Sequence, residues 1–107
     1  MEPLLLEQAL PALAAELFAL LERAGQGDLA AQVPQLRLVD RCRCNDEFCA
    51  TVYTAPRPLG ARGAGHQNVE LEPAEGYFIL DLVDRRIVCI EVLYRQEIRD
   101  EVLRVLP

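Results

Sequence analysis

Leucine and alanine set the pattern of the first twenty residues: Leu4, Leu5, Leu6, Ala9, Leu10, Leu13, Ala14, Leu17, Phe18, Leu20 and Leu21 recur at three- and four-residue spacing. That period predicts helix over residues 3–24. Pro11 falls inside the run. A proline costs about 3 kcal/mol in a helix interior but suits a first turn, so either a short lead-in ends near Ala9 and the main helix begins at Pro11, or one helix kinks. Gly25 and Gly27 close the run. Asp28 can cap a short turn through Ala31, which Pro34 ends.

The period then changes from helical to alternating. Leu36, Leu38, Asp40, Cys42 and Cys44 fall on one side of an extended segment and Arg37, Val39, Arg41 and Arg43 on the other, the pattern of a half-buried strand. Asn45-Asp46 supplies turn chemistry, and the β-branched and aromatic stretch Phe48 to Thr54 can return antiparallel. Residues 55–68 carry Pro56, Pro58, Gly60, Gly63 and Gly65 and read as a long loop. Val69 to Glu72 is a possible short edge strand. Tyr77 to Val83 and Arg86 to Tyr94 flank Asp84-Arg85. A two-residue turn there pairs Asp81 with Val88, Ile79 with Ile90 and Leu80 with Cys89, leaving both faces apolar. Such strands are expected to be central and covered on both sides. A final helix from Arg95 to Leu106 offers Ile98, Val102 and Val105 to one face. The N-terminal helix or a second subunit would cover the other.

The expected architecture is a single α+β domain, residues 1–107: N-terminal helix, an antiparallel sheet of four or five strands built from two hairpins, and a C-terminal helix. At this length folding hides roughly 65% of the unfolded chain's surface, and 51% apolar residues can fill a core. Gly76 through Leu80-Asp81, followed by Arg86-Ile87-Val88 and Ile90-Glu91-Val92-Leu93, resembles small bacterial domains of unknown function in which a Gly-x-Ile-x-Asp strand turns into Gly-Arg-Ile-Val-x-Ile-Glu-Ile-Leu. The resemblance implies a hairpin and brings no chemistry. Arg85 stands where those domains have glycine.

Charge narrows the partners. The net charge is −6, which disfavours a nucleic-acid coat. Charge is unevenly spread: residues 1–35 carry −4, residues 36–66 carry +2 and residues 67–107 carry −4. The N-terminal stretch is acidic, with no basic residue before Arg23, unlike a signal peptide. No uncharged stretch there approaches the roughly 18 residues of a membrane span. A cytoplasmic, reducing setting is therefore expected, with Cys42, Cys44, Cys49 and Cys89 as free or metal-bound thiols. Serine, lysine and tryptophan are absent, which excludes a serine nucleophile, a Schiff-base lysine and a Walker lysine.

Three sets of residues could carry chemistry. Cys42-x-Cys44-x4-Cys49, with His66, would make the Cys3His set of a structural zinc site. Against this, side chains two apart on a strand are about 6–7 Å apart, and cysteine is an ordinary core residue. The loop Pro56 to Asn68 holds Arg57, Arg62 and His66 and no acid, so it could cradle a carboxylate or phosphate. It lacks a nucleotide-binding motif. Asp40, Asp81 and Glu91 fall on otherwise apolar strand faces and read as ion-paired structural acids. In the register above Asp81 and Glu91 point to opposite faces, against a catalytic dyad. Cys89, mid-strand, reads as inert packing. With one histidine and no assigned catalytic residue, an enzyme is the lesser reading. The favoured function is a non-enzymatic interaction module that self-associates as a homo-oligomer or meets a protein partner, with neither nucleic acid nor membrane. The alternative is a small zinc-binding protein with no other cofactor. The third is an anion or small-ligand binder, or an enzyme, using Arg57, Arg62 and His66.

Overall fold

A computed structural model describes residues 3–58, 60 and 62–107. Pro11 resolves the first ambiguity. Helix α1, Leu6–Ala9, ends before it, and α2, Pro11–Arg23, starts on it, where the missing N–H costs nothing. Short α3, Gly27–Ala30, follows. Asp28 is not its cap but lies in the first turn, and Pro34 sits inside a 3-10 turn, Val33–Gln35. Strands β1, Asp40–Arg41, and β2, Val52–Tyr53, are the regular core of the first hairpin. The edge strand β3 spans His66–Leu71, longer and earlier than the sequence suggested. The second hairpin is β4, Tyr77–Val83, and β5, Arg86–Leu93, and α4, Gln96–Val105, follows. The sheet is antiparallel, in the order β1-β2-β5-β4-β3.

The core lies on one face of this sheet. Val52, Phe78, Leu80, Leu82, Ile87, Ile90 and Val92 pack there with Leu13, Leu17 and Leu21 of α2 and Ile98 and Val102 of α4. All the helices share that side, which corrects the expectation that helices or a second subunit would cover each face. The opposite face carries half-buried Ile79, Asp81, Glu91 and Leu93 and exposed Tyr77. The apolar ribbon is thus central but shielded by helices on one side only.

The expected register also fails, for a specific reason. Val83 pairs with Arg86 and Leu82 with Ile87, but Asp81 then pairs with Cys89, Leu80 with Ile90 and Ile79 with Glu91. Val88 is an extra residue, a β-bulge, and it shifts the phase of everything after it. Ile87 can therefore face the core together with Ile90 and Val92. The backbone around the bulge is satisfied from outside the hairpin: Gln32 Oε1 accepts from Ile87 N at 2.9 Å, Thr54 Oγ1 donates to Ile87 O at 2.9 Å and Thr54 N to Val88 O at 3.0 Å. The preceding turn has positive φ at both Asp84 (51°) and Arg85 (64°), the mark of a type I′ turn. Arg85 is an uncommon occupant for αL backbone. Its side chain is held by Asp28 at 2.7 Å and Gln26 at 2.9 Å, and Gln32 Nε2 donates to its carbonyl at 2.7 Å.

Two other contacts fix the helices to the sheet. Arg95, before α4, donates to both oxygens of Glu16 on α2 at 2.8 Å, to Glu97 at 3.0 Å and to the Glu75 carbonyl at 3.2 Å. Its guanidinium lies 5.5 Å from the centre of the Phe78 ring. Glu16 above all, then Glu97, holds the Arg95 charge more firmly than in an ordinary arginine. Gly76 makes the approach possible: φ is +71°, and a Cβ there would stand 2.5 Å from the Leu93 carbonyl and 2.8 Å from Arg95 Cγ. Of the arginines on the first extended segment, Arg37 and Arg41 reach the carbonyls of Pro3 and Leu106, while Arg43 pairs with Asp40.

Candidate functional site

The helix-free face is hollowed into an open cleft of about 500 Å³. Its floor is β4 and β5, its side the first hairpin, and its lip the loop that precedes β3. Cys42, Cys49, Tyr53, Arg57, Arg62, Asp81, Cys89 and Glu91 all line it. The bulge at Val88 is what builds the floor, since without it Glu91 would share the face of Ile87 and point into the core.

At one end lie three thiols. The Cys42, Cys44 and Cys49 sulfurs are all within 4.8 Å of one another. The expected spread of residues two apart on a strand does not apply, because the regular strand ends at Arg41 and the chain turns through Asn45 at φ 65°. Hydrogen bonding divides the set. Burial alone would push the Cys49 thiol up, but the Thr51 hydroxyl and N–H, then Cys44 and Cys42, donate to its sulfur and bring it below the ordinary value. Cys44 goes the other way: the Asp46 N–H lowers it, but desolvation and its two thiol neighbours carry it up to about 11. Every thiol of such a set must lose its proton to hold a cation. Cys89 stands apart: burial, then the Asp81 charge, pushes its thiol far up. It is buried, as a packing role requires.

Mid-floor, Glu91 and Asp81 face one another. Desolvation, then the hydrogen bond to Asp81, raises the Glu91 carboxyl to about 7. His66 is not with the thiols, as the Cys3His set required. Its Nε2 is 3.3 Å from Asp81 Oδ1, because β3 pairs with β4 and sets Asn68 opposite Asp81. The Asn68 amide, with its nitrogen toward the pair, donates to Asp81 Oδ1 at 3.0 Å. The sequence reading set Asp81 and Glu91 on opposite faces, and the bulge reverses that. The available clue was the three-residue step from Ile87 to Ile90, where a plain strand steps by two. Thr51 and Tyr53 were not singled out, and no pattern in the sequence marks them.

At the lip, Arg57 lies 5.1 Å above the Tyr53 ring, and Arg62 is half-buried. Neither forms an ion pair among the described residues. Leu59 and Ala61 of this loop lie outside those residues. Of the expected ligand trio, Arg57 and Arg62 line the cleft, and His66 reaches it through Asp81.

Glu91 gives the face a pH signature. The folded chain keeps the Glu91 proton up to about 7, whereas an unfolded glutamate loses it near about 4.3. Between those values the folded state binds more protons, so this group's contribution to stability falls as pH rises, and the fall is complete above about 7. Glu91→Gln is therefore expected to raise the melting temperature above neutrality and leave it nearly unchanged under acid conditions. Parallel melting-versus-pH curves for the two proteins would refute this.

Among the described residues no helix is long and apolar enough to cross a membrane. Comparison with protein-family models, curated proteins and solved structures finds no significant match to this chain.

Proposed function

We propose that this chain is a small zinc-binding protein in which Cys42, Cys44 and Cys49 hold one ion and leave a fourth position open toward the cleft. The observation that carries this reading is the convergence of the three sulfurs within 4.8 Å. A tetrahedral zinc site with Zn–S near 2.3 Å needs sulfurs roughly 3.8 Å apart, so the thiols are about one small side-chain rotation from ligand geometry. Soft thiolates select zinc or copper(I) over harder cations. The +2 balance of residues 36–66 helps to offset the charge of three thiolates.

The test is titration of reduced, chelator-stripped protein with zinc, and with cobalt(II) for its thiolate charge-transfer absorption. One equivalent per chain is expected. Cys42→Ser, Cys44→Ser and Cys49→Ser should each weaken binding by more than about 100-fold, beyond what loss of an outer-shell partner does. Cys89→Ser and His66→Ala should leave it intact. Affinity should fall as pH falls, because each thiol must lose its proton to bind. Absence of a stoichiometric complex, or equal damage from Cys89→Ser, would defeat the reading.

A self-associating interaction module in a reducing compartment is the second reading. It is favoured by Phe48, Tyr77 and Tyr94, which are exposed by 43%, 57% and 60% and cluster at the rim of the helix-free face, Tyr94 stacked on Phe48 and edge-on to Tyr77. Light scattering that reports a monomer at high concentration would remove it.

A further inference from the structure

The middle of the cleft poses a separate question. Its acidic groups are engaged with one another: Glu91 with Asp81, and Asp81 with His66 and Asn68. Its two guanidinium groups are not. Arg57 is fixed over Tyr53 and Arg62 stands close enough to Glu91, Cys89 and Tyr53 to influence all three, yet neither forms an ion pair among the described residues. Planar guanidinium forks facing a cleft of about 500 Å³ are suited to a planar or tetrahedral oxyanion.

We propose that the cleft binds a small oxyanion, a carboxylate or phosphate group, held by Arg57 and Arg62 at the lip, above the Glu91–Asp81 pair on the floor. The Glu91 proton is engaged with Asp81 and bears on the guest through charge: while it is in place it cancels one of the two negative charges that would repel an anion. The groups facing the Glu91 carboxyl are Asp81 on β4, His66 on β3, Cys89 on its own strand and Arg62 on the loop. Among these only Arg62 attracts an anion whatever the pH, and Arg57 over the Tyr53 ring adds a second such charge at the lip. The binding needs no metal at the three thiols.

The experiment is amide NMR of the intact chain titrated with acetate at about pH 6 and about pH 8, both well above the range where a simple carboxylate titrates. Inorganic phosphate serves as the second probe, at the lower pH. Perturbations are expected at Tyr53, Arg57, Arg62 and Glu91. Acetate should bind roughly tenfold more weakly at the higher pH, the effect of one added unit charge near the surface. Glu91→Gln should show a smaller difference between the two. The double variant Arg57→Gln, Arg62→Gln should bind neither probe. A response to acetate alone assigns the carboxylate, and one to phosphate assigns the phosphoryl group. The proposal is overturned by silence from both probes, by perturbations away from the cleft, by unchanged binding in the double arginine variant, or by a pH fall as large in Glu91→Gln as in the parent chain. Each titration is repeated with zinc present. An anion response without any zinc uptake would sink the metal reading alone, and zinc uptake without an anion response would sink this one.

Discussion

Phe78→Ala is expected to cost about 4 kcal/mol of folding free energy, in the range for aromatic truncation in a closed core. Phe78 is fully buried, lies opposite Val92 in the β4–β5 ladder, and has the Arg95 guanidinium over its ring. Truncation leaves a cavity between sheet and helices and removes the ring that steers Arg95. A protein of this size has about 5–15 kcal/mol in total, so the variant should sit close to its unfolding threshold at room temperature. Phe78→Leu keeps most of the volume, and a loss of about 1.5 kcal/mol is expected. Chemical denaturation measures both. Equal losses for alanine and leucine would show that the cavity is not the cause.

Arg95→Met should lose about 3 kcal/mol, close to the effect of removing one partner of a buried pair. The Arg95 side chain is 11% exposed and Glu16 30%. Methionine can fill the space of the aliphatic stem, but it leaves the Glu16 carboxylate half-covered without its two 2.8 Å donors. Glu16→Gln should cost less, because Arg95 keeps Glu97 and the Glu75 carbonyl. The double variant should be less damaged than the sum of the singles, and simple additivity would disprove the coupling. Since Arg95 touches Phe78, losses at those two positions should not add either.

The elements that local pattern alone determines were legible. Pro11 marks the boundary between α1 and α2, the leucine spacing marks the buried side of α2, and the run from Tyr77 to Leu93 marks the hairpin that dominates the sheet. The Cys42, Cys44 and Cys49 grouping was legible as chemistry but not as geometry, since ideal strand spacing said the sulfurs were too far apart. The face of each strand was not legible after Val88. A bulge is held by groups distant in sequence, here Gln32 and Thr54, and alternation read along one strand has no access to them. The same limit misassigned the coverage of the sheet. Counting apolar positions on both sides of β4 and β5 suggested two hidden faces, whereas the bulge sends Cys89, Glu91 and Leu93 to one side and Ile90 and Val92 to the other. The aspartate–glutamate pair and the detachment of His66 from the thiols follow from that single extra residue and from the pairing of β3 with β4.

Because all the helices pack on one side, the sheet acts as a partition between two independent design spaces. Residues that hold the chain together and residues that line the cleft alternate along the same backbone yet scarcely share neighbours. Substitutions on the helix-free side should thus cost far less stability than those in the core, and libraries randomised at Tyr53, Arg57, Arg62 and Glu91 should remain largely foldable.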